Sequence, residues 1–349
     1  MGNTLLTRRG AAVDLTKAAA ICAVLLIHCS ANRFALFPVS SGPWLCNAFW
    51  ATVSRWAVPA FLLCSGALMN DPDRDLPLPK LFSRYLLRLA LALAVWAGLY
   101  ELLRIFLGRG TLPLAQLLVQ SAKNWLTGST YYHLYYFYFV LALYLALPLT
   151  RLIVRWASPT ELKYILALWL AAGVVIPWLG HYPPFSAMGS SLLWYRLPPV
   201  FTAVGLGLLG WFLRQHPPRT WFGPLALFLS GFAMSAFGLW RRSAAAGALD
   251  TMYLDGFNPF VILMAVGVFQ LAQRWTAERQ LSPAAALLSR ASFCVYLIHP
   301  FFQWLTRQNF FEALPPLWGV PLQAAVLLAL SLAAYAVLRR IPLVNRWLI

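Results

Sequence analysis

The chain has 349 residues, 61% of them hydrophobic, 15% aromatic and only 11% charged, and a formal net charge of +17. A soluble domain carries about a quarter charged residues and roughly half apolar ones, so this composition excludes a soluble enzyme, a soluble secreted protein and a disordered chain. The positive charge does not imply nucleic acid, and no nucleic-acid partner is expected: most of the 27 Lys and Arg residues sit in or beside short breaks between apolar runs, and they form no basic stripe.

A helix that spans a bilayer needs about 20 predominantly apolar residues. The apolar runs predict ten spans, at 11–31, 46–69, 84–107, 131–151, 162–180, 194–213, 222–240, 257–273, 291–306 and 320–340. The breaks between them carry turn chemistry, as in Asp71-Pro72-Asp73, Ser158-Pro159, Pro183-Pro184, Pro217-Pro218 and Pro315-Pro316. The expected fold is an all-α polytopic membrane helix bundle of about ten transmembrane helices, a single membrane domain over residues 1–349. With the N-terminus placed in the cytoplasm, 18 of the 27 Lys and Arg residues fall on that side and 8 on the other, and Arg55 lies within a span. This bias predicts both termini cytoplasmic. The first run follows Arg8 and Arg9, as a signal peptide would. Asp14 and Lys17 interrupt it and no small-residue cleavage pattern follows, so it is read as a retained span. The five cysteines show no CxxC spacing and read as small buried hydrophobes, and no metal is expected.

Polar groups inside spans are the informative residues, because lipid penalises them and function usually keeps them there. The first span holds Asp14, Lys17 and His28. The step from Lys17 to His28 is three helical turns plus roughly 20°, a rise of roughly 16 Å, so the three side chains share one face. Lys17 then sits at the cytoplasmic mouth and His28 in the outer part of the membrane. Structurally, the same residues would be a snorkelling lysine, an interfacial aspartate and a histidine bridging helices. In the second span, Arg55 costs at least ~2.5 kcal/mol to insert and needs a partner or a hydrated cavity. His133 and His299 lie toward the outer ends of later spans, amid tyrosines that an aromatic belt would also explain, and Arg196 follows Trp194 and Tyr195. No zinc-type histidine spacing, G-x-S-x-G elbow or Walker loop occurs. A lone histidine deep in a span, with a cation three turns below it, suits a general base on a hydroxyl with a phosphate-bearing donor gripped at the mouth.

At these residues the chain resembles the acyltransferase-3 family of integral-membrane O-acyltransferases, in particular its glycan O-acetyltransferase branch. The opening D-x-L-R/K segment of that family is met by Asp14-Leu15-Thr16-Lys17, with Thr16 in the leucine position, and its histidine by His28. Its second-span pattern S-R-x-x-V-P-x-F-x-x-S-G-x-L is almost fully met between Ser54 and Leu68, with one extra residue between Phe61 and Ser65. A later H-L-W-F-L-Y block is met by His133-Leu134-Tyr135-Tyr136-Phe137-Tyr138, and a Y-L-I-H-P block by Tyr296 to Pro300. Two of the departures from the pattern matter: Lys17, where the usual arginine's bidentate fork is lost, and Tyr135, where tryptophan is usual.

The resemblance implies an acyl-CoA donor, most often acetyl-CoA, reaching the protein from the cytoplasm, and a sugar hydroxyl of a cell-surface or lipid-linked glycan as acceptor. Lys17 and Asp14 are then the donor-binding candidates, His28 and Arg55 the catalytic ones, and His133, Tyr136, Arg196 and His299 the candidates for the acceptor. The segment 112–127 reads as a short interfacial helix with Lys123 and Trp125 as anchors, for which plain anchoring is expected ahead of a part in shaping an acceptor site. A bacterial inner membrane is the implied location, with membrane lipid as a partner. Two competing readings stay open: a transporter or flippase of a lipid-linked glycan, with His28, Arg55 and His299 along a hydrated path, and a sensor that keeps an enzyme-like shell. Dependence on coenzyme A separates them from an acyltransferase.

Overall fold

The structure, a computed structural model, describes residues 2–104, 114–188, 191, 194–306 and 310–349. Its principal helices are α1 (Gly2–Ala31), α2 (Gly42–Val53), α3 (Ala57–Met69), α4 (Leu87–Arg104), α5 (Leu114–Thr127), α6 (Tyr135–Trp156), α7 (Pro159–Leu170), α8 (Pro199–Gln215), α9 (Phe222–Ala246), α10 (Pro259–Glu278), α11 (Pro283–Thr306), α12 (Pro316–Leu338) and α13 (Pro342–Trp347). No strand occurs among the described residues. Nine helical stretches among them are long and apolar enough to cross a membrane. The remaining predicted span, at 194–213, is α8. Its 17 residues rise about 26 Å, a little under the ~30 Å thickness of a hydrocarbon core.

The helices start where the sequence supplies caps. Ser158 and Glu161 form a reciprocal capping box at α7, with bonds of 3.2 and 2.6 Å. Asn258 accepts from the Phe260 N–H at 2.8 Å at the head of α10, where Pro259 occupies the first turn and gives up no needed donor. Helix α9 stops at Gly247, whose φ of +64° is the left-handed turn that glycine adopts without strain.

Helix α6 shows why these segments belong to a bilayer. Val140, Leu143, Leu147 and Thr150 recur at helical spacing and are buried. Leu145, Leu149, Leu152 and Trp156 recur at the same spacing on another face and are exposed, Trp156 by 75%. An apolar face with no protein against it is at home only in lipid. Lipid is as apolar as leucine, so the helices are held by close packing and polar links. Between α3 and α8 the backbones touch: a Cβ on Gly66 would lie 2.0 Å from the Gly207 carbonyl, and one on Gly210 would lie 2.0 Å from that of Leu63.

Helix α1 is the hub, packed against α2, α3, α10, α11 and α12, and from Asp14 onward its polar side chains Thr16 and Ser30 are buried and Asp14, Lys17 and His28 partly so. At its lower end the Ser289 hydroxyl of α11 donates to Asp14 Oδ1 at 2.6 Å. The other chain terminus packs at this end too. Arg88 donates to the Ile349 carbonyl, and Trp96 Nε1 donates to that of Leu348 at 3.1 Å. The α3 terminus and the loop after it are held by two arginines. Arg214 donates to the Ala67 carbonyl at 2.6 Å and to Asp71 Oδ2 at 3.2 Å. Arg151 donates to the carbonyls of Met69, Asp71 and Arg74 at 3.0, 2.7 and 2.5 Å.

One predicted element is corrected. The span 46–69 is not a continuous helix; it breaks at Ser54-Arg55-Trp56 into α2 and α3. Pro59 is the cause, since it has no N–H to give to the carbonyl four residues back, that of Arg55.

Candidate functional site

Arg55 therefore occupies a turn inside the membrane-spanning stretch. Its own N–H bonds to Thr52 at 3.1 Å, and Ala57 bonds back to Ser54 at 3.2 Å, in short turns that replace the helical ladder. Irregular backbone at such depth needs protein or a cavity around it. The guanidinium has found one partner: Nε donates to the carbonyl of Leu254, with Tyr135 and Asp255 as its electrostatic neighbours. Leu254 ends a tight turn, Met252–Leu254, which hangs from Asp250. Asp250 Oδ1 accepts from the Met252 N–H at 2.9 Å, and Oδ2 from Arg242 Nε at 2.8 Å. Burial works to raise the Asp250 pKa, but these two donors outweigh it and hold the carboxyl below its ordinary value.

The three histidines far apart in sequence meet. His28 (α1) and His299 (α11) are stacked, ring centroids 4.9 Å apart at 29°. His133, in the turn that leads into α6, lies edge-on to His299 at 5.6 Å. His299 and His133 are buried, whereas His28 is only half-buried. The sequence fixes the His299 ring. Pro300 cannot donate to the carbonyl of Tyr296, four residues back, and His299 Nδ1 takes that carbonyl at 2.7 Å. The partner is a carbonyl oxygen, so Nδ1 carries the proton, and Nε2, buried without a partner among the described residues, carries the lone pair. His28 is held at its backbone: Gln303, one turn beyond His299, donates to the His28 carbonyl at 2.6 Å and accepts from the Tyr132 hydroxyl at 2.8 Å. The Tyr132 ring in turn lies 5.1 Å from His28.

Below the histidines runs a cavity of about 190 Å³. Lys17 lines its lower part, Phe61, Ser65 and Val140 its wall, and Tyr136 and Tyr296 also border it. Val24 on its α1 wall is one helical turn below His28, and Tyr296 one turn below His299. Tyr136 and Tyr296 meet edge to face at 5.6 Å, and the Tyr296 hydroxyl donates to the His133 carbonyl. A path of small cross-section thus leads from the lysine to within one turn of the histidines.

Of the predicted site residues, Lys17 and Tyr136 line this cavity, His28, His133 and His299 cluster above it, and Arg55 lies within Coulombic reach of His28. Asp14 does not line the cavity; its carboxylate is taken by Ser289 and ties α1 to α11. Arg196 is exposed and lines a different cavity, with Trp178 and Asp255. Gln303, Tyr132 and Tyr296 belong to the site and escaped sequence reasoning. The signal was present, since Tyr296 and Gln303 flank His299 at helical spacings of three and four. Among the described residues no group of three or more His, Cys, Asp or Glu side chains is arranged to hold a metal ion.

Over residues 11–340 the chain matches the family model described as an acyltransferase domain, acyltransferase-3, and it belongs to that family. Neither a curated protein nor a solved structure matches it significantly. It is a multi-pass membrane protein of an acyltransferase family.

Proposed function

We propose that this protein moves an acetyl or other short acyl group from acyl-CoA to a hydroxyl of a cell-surface or lipid-linked glycan, with His28 as general base. It would lie in the bacterial inner (plasma) membrane, surrounded by lipid, with both termini cytoplasmic as the Lys and Arg bias favours. The observation that carries the reading is the pairing of a half-buried histidine with a lysine-headed cavity that ends one turn beneath it. Lys17 offers a point charge to the nucleotide phosphates of the donor, and the cavity offers its thioester arm a way up.

The transfer is direct. The acceptor oxygen attacks the thioester carbonyl carbon while His28 takes the hydroxyl proton. The C–S bond breaks, and the imidazolium returns the proton to the departing thiolate. Arg55, within Coulombic reach of His28 and held by Leu254 through Nε, offers a positive charge to the developing oxyanion. His299 packs on His28 as a positioning residue. Cys29, beside His28 in sequence, is about 100° round the helix and buried, which disfavours a covalent relay through it.

The test is acetyl-CoA thermal stabilisation and acceptor-dependent release of free thiol by the reconstituted protein, alongside mass spectrometry of envelope glycans from cells with and without it. His28→Ala should keep the stabilisation and lose transfer by about 10²- to 10⁴-fold. A transporter would show neither stabilisation nor thiol release, and that pair of results, or full transfer by the His28 variant, overturns the reading.

A further inference from the structure

A second cavity, of about 540 Å³, opens on the upper side of His28. It shares Tyr132 and Gln303 with the histidine's own surroundings and lies on the side opposite Lys17. Its far wall is built by α4 and α5. There Glu101, an acidic residue inside the predicted 84–107 span, has a side chain only 13% exposed. An acidic group so placed persists for a purpose. Glu101 Oε2 accepts from Arg104 Nε at 2.9 Å, Oε1 accepts from Asn124 Nδ2 at 2.8 Å, and Asn124 Oδ1 accepts from Gln120 Nε2 at 2.7 Å.

From this wall we infer the acceptor site, and its ligand: an uncharged sugar ring, presented with one hydroxyl toward His28. The inference rests on the acyl-transfer reading above. Three features carry it. The volume lies in the range of pockets that enclose a small ligand. Glu101 and Arg104 are the only charged side chains among its described lining residues, and they neutralise each other, so a charged sugar would enter without a counter-ion. Finally, carboxylate and amide groups each set two polar atoms in one plane, and each Glu101 oxygen keeps a second lone-pair site free for a hydroxyl proton. Tyr132 and Trp304 add aromatic faces, on which the apolar C–H face of a sugar ring can lie. The arrangement completes the geometry of the reaction: hydroxyl from above, thioester from below, His28 between them.

The test is thermal unfolding of the full-length protein in lipid nanodiscs with the neutral methyl glycosides of glucose, galactose, mannose and rhamnose, and with sodium glucuronate and galacturonate, each up to roughly 100 mM, where even weak binding stabilises. Sugars also stabilise proteins by exclusion from the surface, so the readout is the difference between wild type and Glu101→Gln or Asn124→Ala. At least one neutral glycoside should stabilise the wild type beyond both variants. Its half-maximal concentration should rise at least about tenfold in Glu101→Gln, as loss of a hydrogen bond to a charged group implies. Both variants should keep the shift that acetyl-CoA produces, which shows them folded. Equal shifts in wild type and variants, or equal stabilisation by the uronates, overturn the inference while the acetyl-CoA shift leaves the transfer reading standing. A glycoside shift in a wild type that acetyl-CoA does not stabilise overturns both, since the cavity would then serve no acyl transfer.

Discussion

At the scale of single residues, the site is set by two prolines that withhold a hydrogen. Pro59 releases the carbonyl of Arg55 and bends the chain so that a cation sits in a turn; Pro300 releases that of Tyr296 and lets His299 claim it. Each proline therefore acts on the side chain of a neighbour. Replacing Pro300 by alanine restores an N–H that competes for the Tyr296 carbonyl and frees the His299 ring to turn or change tautomer. We expect Pro300→Ala to lower kcat by up to about 100-fold, the scale on which small misplacements of reacting groups act. The KM for acetyl-CoA should stay unchanged, because the donor's path ends one turn below. A rise in KM at constant kcat would instead place His299 in donor binding. The histidines and Arg55 were legible in the sequence because lipid makes titratable groups conspicuous. Gln303 and Tyr132 were not, because uncharged polar groups are cheap at helix ends and an aromatic belt accounts for tyrosines equally well.

At the scale of elements, the loops on the upper side are working parts. The Met252–Leu254 turn holds Arg55, and Asp250 holds the turn. Asp250 has a depressed pKa in the folded protein, so its contribution to stability is complete above the ordinary aspartate pKa. That contribution is lost as pH falls through the depressed value. Turnover and thermal stability should therefore fall together on acidification below the ordinary carboxylate range. In Asp250→Asn part of this loss should already be present at neutral pH, with a flatter acid limb in a pH series of unfolding temperatures. The lower side has its own clamp. Arg151 reaches the carbonyl of Met69, at the end of α3, and those of Asp71 and Arg74 in the loop after it. Arg151→Ala removes these bonds, and a loss of roughly 2–3 kcal/mol follows from the usual worth of hydrogen bonds to a charged group, seen as a lower unfolding temperature with the acetyl-CoA shift retained. Positive charge in such loops reads from sequence only as orientation; the clamp role depends on which carbonyls the fold brings near, and periodicity does not carry that information. The same limit applies to the 46–69 span, where the apolar run is continuous and only Pro59 marks the break.

Over the whole molecule, nine of the ten predicted spans were readable because the bilayer forces long apolar runs, and the family resemblance was readable because its motifs fall on the few polar positions within them. Composition could not convey that two cavities approach one histidine from opposite ends of the bundle. That arrangement makes a demand on sidedness which a soluble transferase would not make. If Lys17 lies at the cytoplasmic mouth, as proposed above, acetyl-CoA supplied only to the cytoplasmic face of oriented vesicles should acylate an acceptor confined to the opposite compartment, and free thiol should appear on the cytoplasmic side alone. Reversing the two compartments should abolish transfer, because neither substrate then meets its own cavity. Lys17→Ala should raise the KM for acetyl-CoA by about tenfold, the worth of one charge-assisted contact to phosphate, with kcat little changed, as for an interaction made equally in ground and transition states. Lys17→Arg should recover it. Transfer that proceeds equally in both arrangements would mean that donor and acceptor share one entrance, and the placement of Lys17 at a donor mouth would have to be abandoned.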